Sequence, residues 1–273
     1  VEAASTGKLS VTGYQDYNDA QKILKEVNKY RKKNGRKALK MDRGLTNSAI
    51  MRGFETTIYI PETSPHRRPN GKLSKSINKK IIYENCAQSA ETTPKQIVKG
   101  WINSSTHRKG LLLSNAKSVG VAAVTVVSRD GYEANTWVLD FSSSKAKKVE
   151  KSKARKQFTK NIVTKKSYLK KSYLKLDSRY GTIWETEKMQ MKPTYQGKMM
   201  KEYGVYPTVI NTSSFTSWKS SNPSVASVDS NGRITGNKAG TATISAKLKT
   251  GTKITISKKI KVVPTNQQID PWE

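Results

Sequence analysis

The sequence has 273 residues, which is long for one domain and comfortable for two. Only 34% of the residues are apolar, the mean hydropathy is −0.70 and the formal net charge is +31. These values predict modest cores and an anionic partner or surroundings, although a solvated lysine-rich surface without a dedicated partner would carry the same charge. The one cysteine, Cys86, excludes an internal disulfide.

Membrane-spanning and nucleic-acid-binding classes are not indicated. The longest apolar run, near Val119–Val127, is far shorter than a membrane span. The sequence has no zinc-finger spacing and no RNA-recognition signature. Its opening, VEAAST, is small and polar like a mature N-terminus after signal-peptide removal, although an arbitrary starting point would look the same. We expect no transmembrane segment, no nucleic-acid partner and a loose tail over residues 1–13.

The next stretch predicts two helices and a loop. Apolar residues recur on one helical face over about Asp16–Lys33. A second helix is predicted over about Leu45–Tyr59, and it carries Glu55. The loop Pro61–Gly71 is rich in turn-forming residues and contains His66, one of only two histidines in the chain.

The second histidine follows a helix whose beginning can be identified. Thr93 is a good N-cap, Pro94 suits the first helical position, and Gln96 completes a capping box with Thr93. Apolar residues that include Trp101 recur at three- and four-residue spacing and form a buried stripe. A packed helix of this kind should hold His107, just beyond its end, in a fixed place.

Strands are predicted on either side of this helix. Ile81–Tyr83 is a brief strand that leads into Glu84. Beyond the helix the apolar period changes to two, first near Val119–Val126 and again over Tyr132–Phe141. The Asp-Gly pair within Arg129–Gly131 is a hairpin signal, so these two strands should be antiparallel partners.

Three separated motifs in this half resemble the CAP superfamily, which comprises the cysteine-rich secretory, antigen 5 and pathogenesis-related-one proteins. They are HRRPNG, EN-x-A and TPKQIVKGWINSSTHRKGLL, and their order and spacing are those of the bacterial members. The resemblance covers about residues 14–143 and implies an α-β-α sandwich.

The composition changes after this half. Residues 145–180 contain fourteen Lys or Arg and two acidic residues, and we interpret residues 144–166 as an exposed basic linker. Further on, SWKSSNPSVASVDSNGRITGNKAGTATISAKL resembles a bacterial immunoglobulin-like domain of group 2. Its short strands and tight turns, such as Asn231-Gly232, are typical of a β-sandwich.

The predicted fold class is therefore α+β. An N-terminal CAP-like α-β-α sandwich over residues 14–143 should precede the linker. A C-terminal all-β immunoglobulin-like sandwich should occupy residues 167–264.

The CAP resemblance implies a cavity lined by two histidines and acidic residues. By motif these are His66, His107 and Glu84. The fourth position holds Ser104, where eukaryotic members often have glutamate. Glu55 could supply a carboxylate, because bacterial relatives often place a glutamate about ten residues before the loop histidine, but it could equally be a surface residue.

Two neutral imidazoles suit zinc or another divalent cation, so His66 and His107 are the predicted metal ligands. Glu84 could orient a histidine or act as a general base. The simpler interpretation is that the three side chains hydrogen-bond one another and pin three loops together. Cys86 could be a nucleophile, although a small buried residue is the expected role for a cysteine in an apolar position. No catalytic residue is assigned.

Two functions from different classes fit these features. The first is a secreted, cell-surface-associated binding protein of a Gram-positive-type bacterium, retained by anionic cell-wall polymers or bound to an unidentified extracellular ligand. The alternative is a metal-dependent hydrolase that acts on peptide or cell-wall material. Whether the protein is an enzyme stays open at this point.

Overall fold

The computed structural model describes residues 5–58, 66–89 and 92–269, and the structural statements below refer to these residues. They divide into two compact units. The first unit comprises residues 12–127 and 133–160, and the second comprises residues 5–11, 128–132 and 161–269. Helix accounts for 26% and strand for 41%, which confirms the predicted α+β class.

The helices and strands are numbered in chain order. Up to residue 165 they are β1 (Thr6–Asp16), α1 (Tyr17–Lys33), β2 (Lys40–Met41), α2 (Arg43–Thr56), β3 (Ile81–Ser89), α3 (Pro94–Asn103), α4 (Ser105–Leu111), β4 (Ser118–Val127), β5 (Glu133–Ser142) and β6 (Arg155–Lys165). Beyond residue 165 they are β7 (Leu174–Asp177), β8 (Thr182–Trp184), β9 (Lys188–Gln190), β10 (Lys192–Tyr195), α5 (Lys198–Glu202), β11 (Thr208–Val209), β12 (Phe215–Ser220), β13 (Ala226–Val228), β14 (Arg233–Gly236), β15 (Gly240–Leu248) and β16 (Thr255–Val263).

The first unit is built on one sheet with helices on both faces. The strand order of the sheet is β3-β5-β4-β1-β6, and β2 pairs in parallel with β4. Of β1 and β6, only residues 12–16 and 155–160 belong to this unit. Helices α1, α3 and α4 share one core with the facing side chains of β4 and β5, and α2 packs on β4 and β5 from the other face. The core on the first face contains Ile23, Val27, Val98, Trp101, Leu111, Val119, Val121, Trp137, Leu139 and Phe141.

The predicted helix beginnings are confirmed in atomic detail. Asp16 caps α1 by accepting a hydrogen bond from the backbone of Asp19. Thr93 and Gln96 form the predicted capping box of α3, with Pro94 in the first turn. Each cap satisfies backbone N–H groups that have no partner within the helix.

Two segments differ from the expectations. Residues 1–13 were predicted as a tail, but Thr6–Asp16 is a strand in which Leu9 and Val11 are fully buried. The lysine-rich stretch predicted as a linker contains β6, with Ile162 and Thr164 buried. In both segments alternating residues face a core. The many charged residues in these segments make this period of two hard to recognise in the sequence. The domain boundaries themselves remain predictions.

The second unit consists of small sheets. Their orders are β11-β10-β7, β12-β15-β16-β8 and β13-β14-β9, and the pairs are antiparallel except for β8 with β16. The predicted turn at Asn231-Gly232 joins β13 to β14, and Gly232 has a φ of 72°, which favours glycine. The core of the second unit includes Ile183, Ile210, Phe215, Ile234, Ile244, Ile260 and Val262.

Gly120 in β4 provides a test of how closely α2 packs on the sheet. A methyl group at this position would overlap the backbone carbonyl of Leu45 at the start of α2. We expect Gly120→Ala to destabilise the protein by about 1–3 kcal/mol or more, because the obstacle is backbone that cannot rotate away. Gly100→Ala is the control, since nothing lies within 4 Å of that position and alanine should stabilise a helix interior by about 0.5–1 kcal/mol. Urea unfolding of both variants distinguishes close packing from a general intolerance of alanine.

Candidate functional site

A fully buried arginine lies at the centre of the site. Arg52 is on α2, on the face that packs against the sheet, and it has no exposed surface. Its Nε is 2.8 Å from Oε2 of Glu84 and its Nη2 is 3.1 Å from Oε1 of the same carboxylate. Its Nη1 is 2.7 Å from Oε2 of Glu55, one helical turn away. The guanidinium therefore joins the helix to β3 through charge-assisted hydrogen bonds.

The alternation of β3 explains why Glu84 faces this arginine. Successive side chains of a strand point to opposite faces, so Glu84 and Cys86 lie on the side of α2. Tyr83 and Asn85 lie on the side of α3 and α4, where the Tyr83 hydroxyl donates to the carbonyl of Thr106. Because β3 is the edge strand of the sheet, groups from both faces can approach one another beyond that edge.

The loop that carries His66 is fixed to this network at two points. His66 Nδ1 is 3.0 Å from Oε1 of Glu84. Arg68 contacts Oε1 of Glu55 through Nε at 2.9 Å and Nη2 at 2.7 Å. Glu55 is only 1% exposed, so the interpretation of Glu55 as a surface residue is wrong. It is a buried anchor for the loop.

His107 is held by a different set of contacts. It lies in the first turn of α4, whose N-cap is Ser104. Its Nδ1 is 3.0 Å from the Ser104 hydroxyl, and its carbonyl accepts a hydrogen bond of 3.0 Å from the side-chain amide of Asn85. Burial lowers the pKa of His107, and the neighbouring charge of His66 lowers it further. The imidazole is therefore neutral at pH 7.

A cavity of about 290 Å³ lies beside β3. Of the five residues that the motifs predict for the cavity, His66 and Glu84 line it, and the remaining lining comes from Leu73, Ser74, Lys75, Ile81, Ile82, Tyr83 and Thr106. His107 and Ser104 adjoin it through Thr106, and Glu55 lies behind Arg52 in the buried network. The structure thus links Glu55, Glu84 and His66 by hydrogen bonds, and separately links Ser104 to His107.

The buried carboxylates differ strongly in acidity. Burial alone would raise the pKa of Glu84, but hydrogen bonds from His66 and Arg52, together with the charge of Arg52, lower this pKa to about 2. Asp140, which lies directly opposite Glu84 in the pairing of β3 with β5, is fully buried. Burial and the negative charge of Glu84 raise the pKa of Asp140 well above its usual range.

The charges of this network balance when Asp140 is protonated. Glu55 and Glu84 are then the two carboxylates, and Arg52 and Arg68 are the two guanidinium groups. Within the described residues, neither oxygen of Asp140 has a hydrogen-bond partner. A neutral carboxylic acid tolerates such a position far better than a carboxylate does.

One group of potential metal ligands has the required proximity. Ligand atoms of His66, Glu84 and Cys86 all lie within 4.8 Å of one another. Two features oppose a cation among these three. Arg52 already occupies both oxygens of Glu84, and burial raises the pKa of the Cys86 thiol, so a metal would have to displace the thiol proton. The same raised pKa argues against Cys86 as a nucleophile.

The two histidines predicted as metal ligands are held by separate contacts, and His107 is not part of the group of His66, Glu84 and Cys86. Glu84 occupies Nδ1 of His66, and Ser104 occupies Nδ1 of His107. Glu84 is the carboxylate that fixes the ring of His66, an arrangement that is common at metal sites.

Comparison with known families agrees with the motifs and the fold. Residues 24–141 match the model of the cysteine-rich secretory protein (CAP) family, and residues 196–261 match that of the bacterial Ig-like domain, group 2. The chain contains a CAP domain followed by a bacterial Ig-like domain. This confirms both resemblances.

A curated relative matches only the CAP part. The uncharacterized protein YkwD of Bacillus subtilis is 33% identical over 119 residues, which are 42% of this chain and 44% of that protein. The chain therefore spans less than half the length of this relative.

Solved structures show weaker likenesses. An extracellular protein with an SCP domain from Bacillus anthracis is 18% identical and covers 45% of this chain and 41% of its own, with a TM-score of 0.34. A cysteine-rich secretory protein from Staphylococcus aureus is 22% identical and covers 48% and 40%, with a TM-score of 0.31. An intimin from EHEC O157:H7 is 23% identical and covers 34% and 46%, with a TM-score of 0.23.

The motifs of the CAP domain did not reveal three members of the network. Arg52 lies between apolar residues on the buried face of α2, and its spacing of three from Glu55 was the available signal. Asn85 is part of the EN motif, and it holds the backbone of His107 rather than a ligand. Asp140 alternates with Leu139 and Phe141 in β5, which placed it on the opposite face from the apolar core.

Proposed function

We propose that this chain is a secreted, cell-surface-associated binding protein of a Gram-positive-type bacterium. Its CAP domain presents a cavity beside β3 for an extracellular ligand, and its excess of positive charge retains it on anionic cell-wall polymers. No helix within residues 5–58, 66–89 and 92–269 combines the length and apolar character that a membrane crossing requires. The observation that carries the proposal is the rigid mounting of His66, through Glu84 and Arg52, at a cavity of about 290 Å³.

We also propose that the CAP domain holds a divalent cation between His66, which lines this cavity, and His107, which adjoins it through Thr106. Two imidazoles are a small ligand set, and the cation would supply a Lewis-acidic centre for a ligand carboxylate or carbonyl. Arg52 balances the charge of Glu84, and the carboxylate accepts a hydrogen bond from Nδ1 of His66. In this proposal the site binds a ligand and orients it. Burial raises the pKa of the Cys86 thiol, which makes this side chain a poor nucleophile and favours a binding role over turnover.

Zinc titration by calorimetry distinguishes the two donor sets. We expect His66→Ala and His107→Ala each to weaken zinc binding about tenfold or more, because so few ligands leave no redundancy. Cys86→Ser should leave the affinity unchanged. Affinity should fall in acid, because a protonated imidazole has no lone pair for a metal. The lowered pKa of His107 keeps this ligand neutral further into acid.

Two results would contradict this assignment. Equal loss in Cys86→Ser and His66→Ala, with His107→Ala unaffected, would place the ion among His66, Glu84 and Cys86. Absence of zinc binding by the wild type would leave a polar network without metal. The proposal of a ligand-binding cavity would then depend on the cavity alone.

The second candidate function is a metal-dependent hydrolase that acts on peptide or cell-wall material. The proximity of His66, Glu84 and Cys86 favours it, since a carboxylate near a metal could act as a general base. The low pKa of Glu84, about 2, makes this carboxylate a weak base, which favours the binding role. Zinc-dependent release of fragments from purified walls, lost in Glu84→Gln, would support the hydrolase.

A further inference from the structure

A second cavity, remote from both histidines in sequence, lies entirely within the second unit. Its volume is about 890 Å³, within the range of about 300–1,000 Å³ that is usual for ligand sites. Cationic and aromatic side chains dominate its lining, which comprises Arg129, Asp130, Gly131, Tyr132, Ser178, Arg179, Tyr180, Gly181, Lys192 and Lys258. We call it the basic cleft.

A buried carboxylate organises one side of the basic cleft. Asp177 is 4% exposed. Its Oδ2 is 3.0 Å from Nη1 of Arg129, and its Oδ1 is 3.4 Å from Nζ of Lys258. Arg129 is also paired with Asp130 through two further contacts of 2.8 and 3.0 Å. These contacts fix Arg129 and Lys258 before any ligand arrives, which lowers the entropy cost of binding.

The basic cleft also carries two cations that make no salt bridge with a described carboxylate, Arg179 and Lys192. The lining includes four cations, and only Asp130 in the lining and Asp177 behind it oppose them. Neither Arg179 nor Lys192 has an ion pair with a described acidic residue, whereas Arg129 and Lys258 both do. Several cations in one concave surface raise the local positive potential and attract an anion.

Aromatic rings complete the surface. The exposed rings of Tyr132 and Tyr206 stack, with centroids 5.2 Å apart and an angle of 11° between their planes. The guanidinium of Arg179 lies 5.2 Å from the centroid of the Tyr180 ring. Tyrosine offers an apolar face with a polar tip, and such faces suit the C–H groups of a sugar or polyol. A simple inorganic anion has no C–H groups that could pack against these rings.

We propose that the basic cleft binds a chain of phosphodiester groups joined by polyol or sugar units. Arg179 and Lys192 contact the phosphate oxygens, the Asp177-anchored pair Arg129 and Lys258 supplies the next positive position, and the tyrosines contact the polyol. Guanidinium and ammonium groups both bind phosphate, which keeps its charge throughout the physiological pH range. This proposal rests on the proposed retention by anionic wall polymers and gives that retention a location.

The test compares two doubly substituted variants with equal loss of charge. Arg179→Ala/Lys192→Ala removes the two cations of the basic cleft that make no salt bridge with a described acidic residue. Lys219→Ala/Lys238→Ala removes two exposed lysines elsewhere in the second unit. Calorimetry with a synthetic glycerol phosphate tetramer should give a Kd about tenfold or more higher for the first variant, because charged hydrogen bonds are lost. The second variant should change it less than about twofold.

Related probes establish the chemical class. Uncharged maltotetraose should not bind, and tetragalacturonate, which carries carboxylates, should bind more weakly than the phosphate tetramer. Equal weakening by the two variants would show diffuse surface charge and overturn the basic cleft as a site. Tighter binding of tetragalacturonate would overturn the phosphate assignment.

Retention of the full chain on isolated Gram-positive walls separates this inference from the proposed function. Wild-type protein should be retained on intact walls, released by about 1 M salt, which shortens the Debye length to about 3 Å, and lost from walls stripped of anionic polymer. If both variants are retained like the wild type, the basic cleft is not the retention site, although retention itself stands. If the wild type binds the tetramer but not the walls, the proposed retention fails and the cleft remains a phosphate site.

Discussion

Replacement of Arg52 by leucine is expected to destabilise the protein by about 3–5 kcal/mol. The substitution keeps an apolar side chain, although a shorter one, but leaves Glu84 buried without a guanidinium partner and leaves Glu55 with Arg68 alone. Removal of one partner from a buried ion pair costs this much because the remaining charge has lost both water and counter-charge. Urea unfolding at pH 7 measures the loss.

The control for this experiment is a neighbouring arginine that is exposed. Arg67→Leu removes the same charge from the histidine loop and should change stability by no more than about 0.5 kcal/mol. In addition, Glu55→Gln and Glu84→Gln should recover part of the loss when they are combined with Arg52→Leu. A loss below about 1 kcal/mol in Arg52→Leu would mean that the two carboxylates find other partners, and the account of the network would be wrong.

The second large effect concerns the pH dependence of stability. The folded-state pKa of Asp140 is raised, so the folded protein keeps a proton that the unfolded chain releases near pH 3.8. The stability that Asp140 contributes is therefore fully present below that pH and is lost as pH rises towards the folded-state pKa. Asparagine does not titrate, so Asp140→Asn should become progressively more stable than the wild type as pH rises above about 4.

Asp42 is a control because its pKa is shifted in the opposite direction to that of Asp140. Burial alone would raise the pKa of Asp42, but backbone hydrogen bonds from Leu45 and Lys147 lower it below 3.8. Its contribution is present above the unfolded-state pKa and is lost as pH falls through the folded-state pKa. Urea unfolding from pH 3 to 8 should show Asp42→Asn diverging from the wild type only below about pH 4. A constant difference between Asp140→Asn and wild type across the whole range would show that Asp140 is ionised in the folded protein.

The sequence was sufficient for elements whose local signals agree with their tertiary role. The capping box at Thr93 and Gln96 identified α3 to the residue, and period-two alternation identified the hairpin of β4 and β5. The turn at Asn231-Gly232 was likewise identified from its own residues. In each case a short stretch of chain contains all the groups that determine its structure.

Elements that depend on distant partners were harder to predict. β1 and β6 are polar enough to resemble a tail and a linker. Only those of their residues that face a core need to be apolar, and the others can be polar or charged. Arg52 is a charged residue that no local rule would bury. Its burial is possible only because Glu84, 32 residues later, reaches it from another element. Motif matching identified His66, Glu84 and His107. It did not identify Arg52, which hydrogen-bonds the carboxylate of Glu84 and lowers its pKa.

The central claim is that Glu84, fixed by Arg52, holds the ring of His66 in one tautomer. Ring ¹⁵N chemical shifts of His66, measured near pH 8 and assigned with the His107→Ala variant, test it directly. We predict the tautomer with the proton on Nδ1, which donates a hydrogen bond to Oε1 of Glu84 across 3.0 Å. A neutral His66 ring protonated on Nε2 instead would contradict this prediction, because Nδ1 would then have no hydrogen to donate to Glu84.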